Sequence, residues 1–204
     1  MIDLYAAATS NGMRARIALE ECGLPYNWHR IDLTKGEHKK PEFLKINPFG
    51  QIPAIVDSDG PGGKPVTIHQ STAILMYLAE KTGKLLPKSA ADRPAFLEAL
   101  MSGSTDITPQ FGAVNAARMA KEPHPPTVDL LKARLRSLFA VWNDLLGKRQ
   151  YAAGSEVTIA DLSLYAGYWR TKGAMADAVA DLPNLERWAA EIGARPGVQR
   201  ATKV

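Results

Sequence analysis

The stretch Asn47-Pro48-Phe49-Gly50-Gln51-Ile52-Pro53-Ala54-Ile55-Val56 sets a turn-rich run against a short apolar strand, with a proline at the join. Proline has no N–H for a sheet ladder, so it sits at the start of a strand or on an edge. Residues 52–56 then read as a strand, followed by Asp59-Gly60-Pro61-Gly62-Gly63 and a second apolar run at 65–68. That pattern predicts a hairpin.

Upstream, residues 2–5 form a short apolar strand and 6–11 a small, polar turn. In the next segment, 12–22, Ala15, Ala18, Leu19 and Cys22 recur at i, i+3, i+4, i+7, one buried helical stripe. Gly23 and Pro25 end that helix. Residues 26–33 read as a second strand with Trp28 and Arg30 on one face, giving a βαβ unit with parallel strands and a right-handed crossover. A short helix at 41–45 precedes the hairpin, and a helix at 71–82, with Ile74, Tyr77 and Leu78 inward, follows it. The order βαβ, short helix, ββα is the thioredoxin arrangement, placed here at residues 1–83.

Beyond a linker at 83–91 the patterning is helical. Helices are expected at 92–120 and 127–148, separated by His124-Pro125-Pro126. The second carries the seam Val128, Leu131, Leu135, Leu138, Trp142, Leu145. Thr158-Ile159-Ala160-Asp161 fits a capping box, with Ile159, Leu162, Ala166 and Trp169 on the inner face behind it. A last helix is expected from Pro183, with Leu185, Trp188, Ala189 and Ile192 inward. The fold class is an α/β thioredoxin-like N-terminal domain plus an all-α C-terminal bundle at 91–204.

Composition narrows the function. The chain has 204 residues, 46% hydrophobic and 23% charged, with a net charge of +4 and its basic residues scattered. No basic stripe suggests nucleic acid. A single cysteine, Cys22, excludes an internal disulfide, a CxxC motif and a cysteine-based zinc site. The four histidines (29, 38, 69 and 124) lack i, i+4 spacing, so no metal is expected. The N-terminus does not read as a signal peptide, and no apolar run reaches the ~20 residues that cross a membrane. A cytoplasmic protein is the expectation.

Three segments could carry chemistry. In Thr9-Ser10-Asn11-Gly12, hydroxyls, an amide and a helix N-terminus could stabilise an anion such as a thiolate, or Ser10 or Asn11 could simply cap the helix. At Ile52-Pro53, a cis bond would turn the peptide groups of Ile52 toward an extended ligand, and a trans bond would leave an ordinary turn. In His69-Gln70-Ser71, Ser71 either caps the next helix or, with Gln70 and the helix amides, holds a carboxylate. All three fall at one end of a thioredoxin-like sheet, where together they suit a short anionic peptide.

These motifs resemble those of cytosolic glutathione transferases. Ser-Asn-Gly after the first strand, Asn-Pro-Phe-Gly-Gln-Ile-Pro, and Gln-Ser-Thr-Ala-Ile-Leu-Met-Tyr-Leu carry the likeness, and residues 151–161 and 183–196 extend it into the helical part. The opening Ile-Asp-Leu-Tyr, Thr9 to Gly12 and Leu24-Pro25-Tyr26 are most similar to the bacterial nu class, known for glutathione-dependent disulfide reduction as well as conjugation. The resemblance implies that Thr9 and Asn11 contact the glutathione sulfur. It implies that Ile52, beside Gln51 and Pro53, pairs with the cysteinyl backbone. Gln70 and Ser71 would hold the γ-glutamyl end, and His38, helped by Lys39, the glycyl end. It also implies glutathione as co-substrate, a small electrophilic or disulfide second substrate, and a homodimer.

Two features depart from that class. Gln70 stands where Glu is frequent, and residues 101–115 carry Ser102, Ser104, Thr105, Asp106 and Thr108 in place of an aromatic- and glycine-rich run. Met101, Phe111, Met119, Tyr165 and Trp169 are candidate walls for the second substrate. Tyr5 is the rival sulfur donor, since several transferase classes use a tyrosine there. Cys22, on the buried stripe at the negative end of its helix, is expected to be core. The alternative function is a non-catalytic glutathione-fold carrier or interaction module, favoured if Arg14 or Trp28 closes the pocket.

Overall fold

The computed structural model describes residues 1–203. Its described residues group into two compact units, one running to Leu86 and including the helix Pro196–Thr202, the other Pro87–Ala194.

The first unit is built on a four-stranded sheet in the order β2-β1-β3-β4, with β1 Ile2–Ala6, β2 Tyr26–Arg30, β3 Ala54–Asp57 and β4 Val66–His69. β1 and β2 are parallel; β3 runs antiparallel to both β1 and β4. Ile2, Leu4 and Ala6 of β1 are buried, as the period of two requires, and Tyr5 on the opposite face packs edge-on against Phe43 of the short helix α2, Pro41–Leu44. β2 stops earlier than its apolar pattern suggests because Asp32 Oδ1 accepts from the Thr34 and Lys35 amides, turning the chain.

Helix α1, Ser10–Cys22, buries Ala15, Ala18, Leu19 and Cys22, and ends at Gly23 in the left-handed conformation. It packs against α3, Ser71–Thr82. The second unit is expected from the sequence to extend to the C-terminus, but α9, Pro196–Thr202, packs against α1 in the first unit. Arg195 Nε donates to Glu21 Oε2 at 2.8 Å, Arg200 Nε to Glu20 Oε2 at 2.7 Å, and Arg16 to the Ala201 carbonyl at 2.7 Å. A side chain at Gly197 would stand 2.4 Å from Glu21 Oε1 and 3.1 Å from the Glu20 carbonyl carbon, so a larger residue there would displace the Glu21 side chain.

The second unit is helical: α4 Arg93–Met101, α5 Thr108–Arg118, α6 Pro125–Leu146, α7 Ile159–Ala174 and α8 Pro183–Gly193. The expected single helix over 92–120 is divided by a π-helical segment, Ser102–Ile107. There Gly103 passes so close to α7 that a Cβ would lie 2.6 Å from Ser163 Oγ. Ser104 and Thr105 bond back to the Met101 carbonyl, Thr108 bonds to the Gly103 carbonyl, and Ser102 accepts from Trp142 Nε1. The polar run therefore serves the widened turn and its close crossing. The capping box forms with Thr158 and Asp161. The α6 seam is buried at Leu135 and Trp142, joined by Phe139 and Leu146.

Candidate functional site

Strand register alone assembles the site. Tyr5 pairs with Ala54, and Ala54 with His69, while Arg30 pairs with Ala6. The loop after β1, the segment before β3, the turn after β4 and the loop after β2 therefore share one end of the sheet.

Thr9, rather than Ser10 or Asn11, caps α1. Its backbone is extended and its Oγ1 accepts from the Gly12 amide at 3.1 Å. A threonine hydroxyl that accepts this bond keeps its own proton to donate. The Ser10 and Asn11 amides precede the first intrahelical bond, Met13 N to the Thr9 carbonyl, so they belong to the electropositive helix end. A Cβ at Gly12 would lie 2.1 Å from the Ala7 carbonyl oxygen, so this turn requires glycine.

Asn11 is oriented by Arg14. The Arg14 guanidinium donates to Asn11 Oδ1 at 2.6 Å, and Ser71 Oγ lies 3.3 Å from both. Because guanidinium can only donate, the oxygen of the Asn11 amide must face it, and the NH2 group is turned the other way. Arg14 is fully buried, and burial pushes its pKa down to about 10, so it remains a cation at neutral pH. Trp28 lies beneath Arg16, whose guanidinium is 3.8 Å from its ring centre. The sequence reading missed Arg14 as part of the cluster; the available signal was a charge four residues before Ala18, at the edge of the buried stripe.

Ser71 is the first residue of α3, not its cap. Gln70 occupies the cap position at φ 75°, ψ 111°, with an exposed side chain that makes no capping bond. A non-glycine residue there costs about 1–3 kcal/mol and is held by its surroundings, a condition that concentrates at functional sites. The Ile52-Pro53 bond is cis. Ladder pairing begins at Ala54, so the peptide groups of Gln51 and Ile52 lie outside it. Buried Asn47 braces this segment, donating to the Gln51 carbonyl at 2.6 Å and accepting from the Phe49 amide at 3.1 Å.

The glycyl-end candidates differ in kind. Lys39 Nζ is committed to the Gly50 carbonyl at 2.9 Å, a structural clasp. His38, in the turn Glu37–Lys39, has a buried Nδ1 without a partner. Tyr5 stacks on His29 at 4.6 Å, and burial with the nearby Asp3 charge pushes its phenol up. Cys22 is buried, its thiol pushed up by burial. Of the five candidate wall residues, Tyr165 and Trp169 line a cavity of about 490 Å³ within the second unit. Phe111 is buried beneath Arg170, and Met101 and Met119 are exposed.

The family models described as glutathione S-transferase, N-terminal domain and glutathione S-transferase, C-terminal domain match residues 10–81 and 113–202. The chain is 35% identical over 206 residues to the disulfide-bond oxidoreductase YfcG of Escherichia coli strain K12, covering 98% of this chain and 94% of that one. A crystal structure of a glutathione transferase family member from Pseudomonas fluorescens, with two glutathione bound, matches with a TM-score of 0.91 at 34% identity, covering 98% and 91% of the two chains. A glutathione transferase from Pseudomonas putida, with one glutathione disulfide per subunit, matches with a TM-score of 0.91 at 32% identity over 100% and 91%.

Proposed function

The chain belongs to the glutathione S-transferase family, and on that premise we propose that it is a glutathione-dependent transferase or disulfide-bond reductase that activates the bound thiol without a protein cysteine. The observation that carries this reading is the buried Arg14, which holds the Asn11 amide by its oxygen; its NH2 would then join the Thr9 hydroxyl and the α1 amides as donors to the thiolate.

The energetics are adequate. A thiol with a pKa of about 8.5 needs about 2.7 kcal/mol to fall two units. Hydrogen bonds to a charged acceptor contribute about 1.5–3 kcal/mol each. Two donors from Thr9 and Asn11, added to the helix terminus, reach that sum. Gln70 and Ser71 with the α3 amides would take the γ-glutamyl end, Gln51 and Ile52 the cysteinyl backbone beside Pro53, and His38 the glycyl end. Disulfide reduction is balanced as two glutathione thiols giving one glutathione disulfide while one substrate disulfide becomes two thiols. Conjugation uses the same thiolate against an electrophilic carbon.

A homodimer and a cytoplasmic location belong to the same proposal. Phe49, 63% exposed, is an apolar side chain that a second copy would cover. Among the described residues no helix is long and apolar enough to cross a membrane.

The test is glutathione-dependent reduction of 2-hydroxyethyl disulfide by wild type and Cys22→Ser. Turnover is expected in both, within about twofold, because Cys22 is buried in the core. Loss of turnover in Cys22→Ser would overturn cysteine-free activation. Glutathione binding without turnover of this disulfide or of any electrophile would point to the non-catalytic carrier.

A further inference from the structure

Beside Thr9 the first unit holds a cavity of about 440 Å³, walled by residues 7–9 of the loop after β1 and residues 30–33 at the end of β2. The parallel register explains the juxtaposition: Arg30 pairs with Ala6, and the Ile31 amide donates to the Ala6 carbonyl at 3.0 Å. Ala7, Ala8, Ile31 and Leu33 supply the apolar part of a wall that is otherwise polar. Two charges stand in it, Asp32 and Arg30, and they are not equivalent.

Asp32 is committed to its own turn. Its Oδ1 accepts from the Thr34 amide at 2.9 Å, the Thr34 hydroxyl at 2.6 Å and the Lys35 amide at 3.3 Å, and Oδ2 faces Lys35 Nζ at 3.4 Å. Arg30 is exposed, with its guanidinium 5.0 Å from the Trp28 ring centre, and no carboxylate pairs with it among the described residues. The uncommitted charge on the wall is therefore a cation, on a side chain whose planar fork suits a carboxylate.

We propose that this cavity receives the disulfide substrate and that Arg30 makes it selective for disulfides carrying a carboxylate. The inference rests on the disulfide-reductase reading above and on Thr9 as a thiolate donor. The glutathione thiolate forms a bond to one substrate sulfur, the substrate S–S bond breaks, and the leaving thiolate takes a proton from water. A second glutathione thiolate then attacks the glutathione sulfur of the mixed disulfide, giving glutathione disulfide and the second thiol. A carboxylate on the substrate would lie against Arg30 through both exchanges.

The test compares kcat/KM for 3,3′-dithiodipropionate, 2-hydroxyethyl disulfide and cystamine, which are anionic, neutral and cationic. Wild type is expected to prefer the anion over the neutral disulfide by about three- to fivefold and to disfavour the cation, the scale of a partly exposed ion pair. Arg30→Gln should bring the three together, Arg30→Lys should keep most of the preference, and Arg30→Glu should reverse it. The wild-type preference should shrink in high salt. Equal efficiencies in wild type, or a ratio unchanged in Arg30→Gln, would overturn the inference while leaving the reductase reading intact. A parallel fall for all three substrates in Arg30→Gln would also overturn it. No turnover of any of the three would sink the reductase reading and this inference with it.

Discussion

Arg14 in the first unit and Asp161 in the second are both fully buried ionisable side chains, and they sit in networks of opposite design. Asp161 is enclosed. Its Oδ1 accepts from the Ala152 amide at 2.7 Å and Trp188 Nε1 at 2.9 Å, and its Oδ2 accepts from the Thr158 amide at 2.9 Å and hydroxyl at 3.2 Å. Both oxygens are used, and the donors come from the helix cap at Thr158, the turn at Ala152 and the core Trp188. Arg14 instead passes its charge to Asn11 and Ser71, whose polar groups stand at the open end of the sheet. A buried network that closes on itself fixes a fold, whereas one that ends in oriented donors forms a site.

The largest effect should come from opening the closed network. Asp161→Ala leaves four donors without their acceptor and is expected to cost about 3–5 kcal/mol, read as the urea midpoint of the helical unit. A loss under about 1 kcal/mol would break the contrast. Arg14→Leu should cost less, about 2–3 kcal/mol, but it should also abolish thiol activation, since the Asn11 amide is no longer held. Retained turnover with normal pH dependence in that variant would show that Arg14 does not orient the site.

Asn11→Ala sharpens the contrast further. It should lower kcat/KM for disulfide reduction by about 10–100-fold while shifting stability by about 1 kcal/mol or less, the mark of a group that serves ligand rather than fold. The pH at half-maximal thiolate absorbance of bound glutathione should rise in parallel. The smallest effect is expected at Asp57. Burial raises its carboxyl pKa, but bonds from Tyr77 at 2.6 Å, Lys81 at 2.9 Å and the Asp59 amide at 3.0 Å outweigh burial and hold it below the ordinary value. With the folded pKa below the unfolded one, its contribution is present above about pH 4 and fades as pH falls through the folded value. Urea midpoints between pH 5 and 2 should show a loss of about 1 kcal/mol that Asp57→Asn removes.

Much of this was legible along the chain because local rules carried it. The capping box at Thr158-Asp161 and the stripe of Ala15, Ala18, Leu19 and Cys22 depend on neighbours within a turn or two. The π segment did not announce itself, because its cause is Gly103 meeting Ser163 across the unit, sixty residues apart in the chain. The cap of α1 moved from Ser10 or Asn11 to Thr9 because Asn11 was drawn to Arg14 and Ser71. Ser71 likewise gave up capping for that cluster, leaving Gln70 at a positive φ.

The sequence by itself determined the element order of the first unit, the helical character of the second, and the three motif segments, since periodicity, turn residues and caps act over short spans. Tertiary structure decided that α9 closes on α1, that Arg14 aims Asn11, and that Arg30 stands beside Thr9. Those outcomes depend on strand register and on contacts between residues far apart in the chain, which no local pattern specifies.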